Sequence, residues 1–269
     1  MVKLKDITRL VAYGCSFTFG AELGDHIILN KPMIEIDREK RSIGIEGFDK
    51  FISFYPKLKN EISKTVCNRL SYSAKLAKLL DLQYSNRAVV GNSLQGTVFN
   101  IEYDLSKGYL KDSDLILVGI TSPSRWLYFL NNGEIRTPNL SKVFHWPNKT
   151  FYEEFVAIFG NPFNFMYQYF FHLKYIELLS KNLNGRVFCV WAHSVYGQYK
   201  GWNKTENDNL LYPICDQIEN FECIIAPNLS LYGLITDYEN ETHGFSHPKQ
   251  EIHDKFAFML FPEIVKKYE

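Results

Sequence analysis

Residues 9–20 read Arg9-Leu10-Val11-Ala12-Tyr13-Gly14-Cys15-Ser16-Phe17-Thr18-Phe19-Gly20. A short apolar run that ends on a glycine predicts a strand over 9–13, left through a sharp turn at Gly14. Ser16 then sits just past the strand end, between two glycines.

The rest of the chain repeats the pattern. Strands are predicted at 83–88, 114–118, 186–191 and 222–226, separated by longer amphipathic stretches. The run at 114–118 is apolar throughout, as expected for a central parallel strand. Between the strands, helices are predicted over 65–80, 97–107 and 164–182. Tyr72, Leu76, Leu79 and Leu80 share one helical face, and Asn184-Gly185 closes the third of these helices. A last helix starts near Pro248 and is interrupted at Pro262. Strands alternating with helices predict an α/β fold: three layers, α/β/α, around a central, mostly parallel five-stranded sheet.

The chain has 269 residues, 46% of them apolar. That suits a single domain over 1–269 with a substantial core. Two connections, at about 21–64 and 131–161, are too long for simple loops. Both leave carboxyl ends of strands, where open α/β sheets bind ligands, so they are expected to wall a site. The formal net charge is zero, which argues against a nucleic-acid partner. No signal peptide and no membrane-spanning stretch is visible, and a cytoplasmic location is expected. The five cysteines are scattered, fit neither a disulfide framework nor a metal site, and read as small buried apolar residues.

Several nucleotide and nucleophile motifs fail at the first turn. Gly20 lies six residues after Gly14 with no lysine behind it, so there is no phosphate-binding P-loop. Only one glycine of GxGxxG is present. Thr18 occupies the last position of GxSxG. The plainest reading of Ser16 is a turn or N-cap residue. The other is a serine whose hydroxyl and N–H face a reacting carbonyl. His243 and His247 have the spacing of a helical metal pair, but Gly244 and Pro248 argue against a helix there. No cofactor or metal is called for.

Further blocks accompany the first. Asn86-Arg87-Ala88-Val89-Val90-Gly91-Asn92-Ser93 follows the second strand, Gly119-Ile120-Thr121-Ser122 the third, and His247-Pro248 lies near the C-terminus. In this order the chain resembles the SGNH (GDSL-like) hydrolase family over nearly its whole length. The resemblance implies a flavodoxin-like topology and a serine ester hydrolase, with a carbohydrate O-deacetylase among the forms it could take. It implies Ser16 as nucleophile and His247 as general base. The oxyanion hole would be formed by Ser16, Gly91 and Thr121, with Ser93 assisting, and Ser93 and Ser122 are further candidates for binding the substrate. Arg125 and His193 fall at the same sheet edge, where they could contact a small-molecule or glycan ester. Each also has a plainer reading, Arg125 as a surface ion pair.

Three departures stand out: Cys15 replaces the family's Asp, Thr121 its Asn, and Gly244 the Asp that orients the histidine. Asp237, Glu239, Glu241 or a backbone carbonyl could take the last role. The departures also suit an alternative, a family member with weakened or lost catalysis that serves in binding or structure.

Overall fold

The computed structural model describes residues 3–44, 48–121, 128–129, 135–136, 162–192, 221–244 and 247–269. A sheet of four parallel strands forms the centre: β1 (Arg9–Tyr13), β2 (Gln83–Asn86), β3 (Asp114–Ile120) and β6 (Val187–Trp191). Their order is β2-β1-β3-β6. The register pairs Tyr13 with Val118 and Ile120 with Trp191. A separate antiparallel pair joins β4 (Tyr128–Phe129) to β5 (Ile135–Arg136).

The expected fifth strand is reduced to isolated parallel bridges beside β6, Cys189 with Ile224 and Trp191 with Ser230. Ile225 N–H still donates to the Cys189 carbonyl at 2.9 Å. The segment therefore covers the β6 edge without extending as a regular strand.

Strand residues alternate between two cores, as the period of two requires. Leu10, Ala12, Leu115, Leu117, Phe188 and Val190 face one apolar cluster. Val11, Tyr13, Ile116, Val118, Cys189 and Trp191 face the other. Helices α6 (Tyr72–Leu79) and α10 (Gln250–Tyr268) cover the first face, and α7 (Leu94–Ser106) and α8 (Pro162–Asn182) the second. These are the three expected layers.

Two helix expectations need correction. The helix predicted over 65–80 is broken into α5 (Glu61–Leu70) and α6. Ser71 is extended at the break, and its hydroxyl accepts from Ala74 N–H at 3.3 Å. Tyr72 N–H turns instead to His253 Nδ1 at 3.1 Å. At the other end, Pro262 does not stop α10, which continues to Tyr268 because Leu260, Ile264 and Tyr268 prolong its buried stripe. The proline leaves the Phe258 carbonyl without its helical donor, and Phe258 is exposed.

The long connection at 21–64 is helical rather than a loop. It contains α1 (Ser16–Phe19) at its threshold, then α2 (Asp25–Leu29), α3 (Met33–Ile43), α4 (Phe48–Phe54) and a 3-10 turn at Pro56–Lys59. Ile36, Phe51 and Ile52 give it a small core of its own. The second long connection, 131–161, lies outside the described residues except for β5. Four cysteines, Cys15, Cys67, Cys189 and Cys223, are free and buried; Cys215 lies outside the described residues. Among the described residues, no helix is long and apolar enough to cross a membrane.

Counting only the main sheet, the order β2-β1-β3-β6 reverses direction at the β1/β3 pair, which opens the crevice where such sheets bind ligands. Gly14 and Gly119 lie at the carboxyl ends of that pair. Gly14 adopts φ +150°, and a Cβ there would meet Thr18 Oγ1 at 2.5 Å. A Cβ on Gly119 would meet the same oxygen at 1.8 Å and Tyr72 Oη at 2.8 Å. Both glycines thus make room for Thr18, whose hydroxyl hydrogen-bonds Tyr72 at 3.1 Å and anchors α1 against the sheet. Gly119→Ala is expected to lower stability by roughly 1–3 kcal/mol through overpacking, measured by urea unfolding. Adding Thr18→Ala should recover part of that loss.

Candidate active site

Ser16 is the first residue of α1 and is 2% exposed. As the first helical residue its N–H has no helical acceptor. Gly20 N–H and Ala21 N–H both donate to the Ser16 carbonyl at 3.0 Å, closing the short helix. Gly20 makes the exit at φ +83°, where a Cβ would lie 2.7 Å from the Cys67 carbonyl. Cys15 precedes the helix with its side chain in the core. Position 15 is thus a packing residue and carries no carboxylate.

The loop after β2 is tied to this turn. Asn86 Nδ2 donates to the Phe19 carbonyl at 3.4 Å, and Val89 N–H donates to the Gly14 carbonyl at 3.0 Å. Arg87 forks onto Asp104 with two bonds of 2.9 Å. Tyr13 Oη donates to the same carboxylate at 2.6 Å, and burial, then this bond, pushes the phenol pKa well up. Gly91 follows in a turn at φ +81°. Ser93 caps α7, its hydroxyl accepting from Gly96 N–H at 3.0 Å. The structure therefore gives Ser93 a structural bond of its own.

Thr121 follows β3 and is fully buried. Its carbonyl accepts from Tyr169 Oη at 2.7 Å, while its hydroxyl Oγ1 has no hydrogen-bond partner. A buried hydroxyl left unpaired costs about 1–3 kcal/mol, so an acceptor from a ligand would be welcome there. Ser122, Arg125 and His193 lie outside the described residues.

His247 reaches the site from the C-terminal side. Its ring contacts Phe17, the residue after Ser16, with centroids 5.4 Å apart. Nδ1 lies 2.7 Å from Glu22 Oε2. Facing a carboxylate, Nδ1 carries the hydrogen in the neutral ring, which leaves the lone pair on Nε2. The Ser16 hydroxyl makes no hydrogen bond to His247, nor to any other described residue. Unliganded sites often hold such pairs apart until substrate binds.

Glu22 is the residue that reading along the chain missed. Asp237 and Glu241 are engaged elsewhere: Asp237 accepts from Asn240 N–H and caps the short helix α9 (Tyr238–Glu241), while Glu241 accepts from the N–H groups of Thr236 and Asp237. The Gly244 position holds no carboxylate because α3 presses on it. A Cβ at Gly244 would lie 2.2 Å from Lys40 Cβ and 2.9 Å from the Asp37 carbonyl. The carboxylate arrives instead from the turn after α1, where Glu22 has φ +70°.

Glu22 is buried and also accepts from Lys40 Nζ, which donates to Asp25 Oδ2 at 2.6 Å as well. Burial would raise the Glu22 pKa, but Lys40 and then the bond from His247 outweigh it, and the pKa is lowered to about 2. Burial dominates at Asp25 and raises its pKa despite Lys40. Behind this cluster His243 Nδ1 lies 3.3 Å from Asp37, and Gly244 N–H donates to Asp37 at 3.0 Å. His253 is held neutral, its pKa lowered to about 3 by burial first and then by His243 and His247. Among the described residues, no group of three or more His, Cys, Asp or Glu could hold a metal ion.

A cavity of about 680 Å³ adjoins the pair, walled in part by Ala21, Glu22, Asn86, Val89, Val90 and His247. Ser16 does not line it.

Solved structures similar to this one include esterases and lipases. One is a carbohydrate esterase whose active site displays divergent catalytic and non-catalytic binding functions, at 13% identity and TM-score 0.44, covering 96% of this chain and 68% of that one. A catalytic mutant of an acetylxylan esterase from Geobacillus stearothermophilus matches at 11% identity and TM-score 0.46, over 96% and 94%. A GDSL-like lipase from Bacteroides thetaiotaomicron matches at 10% identity and TM-score 0.39, over 98% and 89%. No family model and no curated protein matches the sequence.

The depressed Glu22 pKa has a thermodynamic consequence. A carboxyl group with a folded-state pKa below its unfolded value stabilises the fold above the unfolded pKa, and that stability is lost as pH falls through the folded pKa. For Glu22 the window runs from near pH 4.5 to about 2, with an upper bound on the order of 3 kcal/mol. Asp25, shifted the other way, offsets part of it. Unfolding measured across this window should show Glu22→Gln flattening the acid loss of stability relative to the native chain.

Proposed function

We propose that this chain is a serine ester hydrolase of the SGNH type, with Ser16 as nucleophile, His247 as general base and Glu22 as the carboxylate that orients it. The observation that carries this reading is the 2.7 Å contact between His247 Nδ1 and an ionised, buried Glu22. A serine hydroxyl is a poor nucleophile until a base takes its proton. An imidazole whose Nδ1–H is donated to a carboxylate presents Nε2 as that base, and the carboxylate stabilises the imidazolium that forms.

In the first step Ser16 Oγ bonds the acyl carbon while its proton passes to His247 Nε2. The carbonyl oxygen takes the negative charge, against the N–H groups of Ser16 and Gly91 and the unpaired Thr121 hydroxyl. The imidazolium then returns the proton to the departing alcohol, and water repeats the sequence on the acyl enzyme. Val89 and Val90, both about half exposed at the cavity wall, suit an acyl group. Trp126, Tyr128 and Phe129 follow β3 in sequence and favour a ring-bearing alcohol such as a sugar, so carbohydrate acetyl esters are the first substrates to test.

A second reading has an observation of its own. Ser16 is buried and not bonded to His247, as expected of a protein that binds an ester or glycan without turning it over. A fluorophosphonate probe separates the two readings. The hydrolase is expected to be labelled at Ser16, with labelling abolished in Ser16→Ala. Glu22→Gln should lower kcat/KM on an acetyl ester by roughly 10²–10⁴-fold. A folded native protein that takes no label would overturn the hydrolase reading.

A further inference from the structure

Lys40 lies on α3 and is 1% exposed. Its ammonium bridges two carboxylates, Glu22 on the turn after α1 and Asp25 at the start of α2. Glu22 divides its oxygens: Oε1 accepts from Lys40, and Oε2 accepts from the Nδ1 and, at 3.4 Å, the backbone N–H of His247. One carboxylate is thus shared between an ammonium and an imidazole.

We propose that Lys40 is a positioning residue for His247, which fixes Glu22 against the imidazole and, together with Asp25, sets the charge available to stabilise the imidazolium. The proposal rests on the reading of Ser16 and His247 as nucleophile and base.

The charge count gives it content. With His247 neutral, the two carboxylates and one ammonium leave the buried cluster with a single negative charge. When the Ser16 proton arrives at Nε2, the imidazolium brings the cluster to neutrality. A low-dielectric interior makes that difference large. Without Lys40, two carboxylates would face each other with no cation between them, and the Glu22 charge would act on His247 unshared. Without Asp25, the cluster would start neutral and the imidazolium would be left as an excess positive charge.

The other groups around His247 do not replace either one. Asp37 on α3 is occupied by His243 and the Gly244 N–H. His253 on α10 is neutral near pH 7. Lys64 and Arg87 line the same cavity as His247, and Arg87 is paired with Asp104.

The two charges therefore act on His247 in opposite senses, and a purely structural lysine would produce no such pattern. The test follows the titration of His247 by NMR on the full-length, histidine-labelled chain. Lys40→Met is expected to raise the midpoint by roughly one unit or more, and Asp25→Asn to lower it by a similar amount. The double variant Lys40→Met/Asp25→Asn restores the single negative charge and should titrate near the native midpoint. The acidic limb of kcat/KM on an acetyl ester should move with each midpoint. If Lys40→Met does not fold, Asp25→Asn and the double variant carry the test, since the double variant should sit well above Asp25→Asn. Unchanged midpoints, or shifts of the same sign in both single variants, would overturn the proposal. If the midpoints move as expected but the native protein takes no fluorophosphonate, the assignment of Ser16 fails while the link from Lys40 to His247 stands.

Discussion

An ammonium group removed from water must be matched by anions, at a cost of several kcal/mol if it is not. Lys40 is matched by Glu22 and Asp25, and its Nζ also lies 5.4 Å from the centre of the Phe51 ring. Those partners come from separate elements: the turn after α1, the start of α2, and α4. Lys40 itself is on α3, which presses against Gly244. The ion cluster therefore holds the helical connection in one arrangement against the turn that carries His247. The small apolar core of Ile36, Phe51 and Ile52 is too limited to do this alone. A buried ion pair is weak evidence of added stability, because an apolar replacement of similar shape often does as well. Its effect is on specificity of arrangement, since few placements of α3 satisfy three charges at once.

This arrangement explains why position 244 carries no side chain. A side chain there would collide with Lys40 and Asp37. The helical connection takes that space, and the carboxylate that faces His247 comes instead from Glu22, far away in sequence. A second packing constraint sits at the first turn, at Thr18. Its bulk is accommodated by Gly14 and Gly119 on adjacent strands, and its hydroxyl secures α1 through Tyr72.

Much of the fold was legible because local patterns carry it. The apolar runs of β1, β3 and β6 and the one-face periodicity of α6 and α10 need no tertiary information. The break at Ser71 was not legible, since it depends on His253 taking the Tyr72 N–H from 181 residues away. Nor was the persistence of α10 past Pro262, because the buried stripe beyond the proline outweighs one lost bond. For the site, Ser16, Gly91, Thr121 and His247 could be singled out as motif positions beside strand ends. Glu22 could not, because a search for the partner of a histidine looks first near the histidine. One signal was present: two acidic residues, Glu22 and Asp25, stand in the otherwise apolar and glycine stretch 19–25, followed by a lysine on the inner face of an amphipathic helix. Charges placed where apolar residues belong ask for one another.

Thr121 bears most on how well such a site would work. An asparagine at the end of β3 extends its donor further than a threonine hydroxyl does, so replacing one by the other moves the donor back toward the sheet. The hydroxyl is fully buried and unpaired, a standing cost that an acceptor oxygen in the crevice would relieve. The hydroxyl can also rotate, whereas an amide held by its neighbours aims its N–H in advance. Much of the benefit of an oxyanion donor comes from being aimed before charge develops. A threonine here therefore trades some preorganisation for a donor that can follow an oxyanion seated closer to the strand ends.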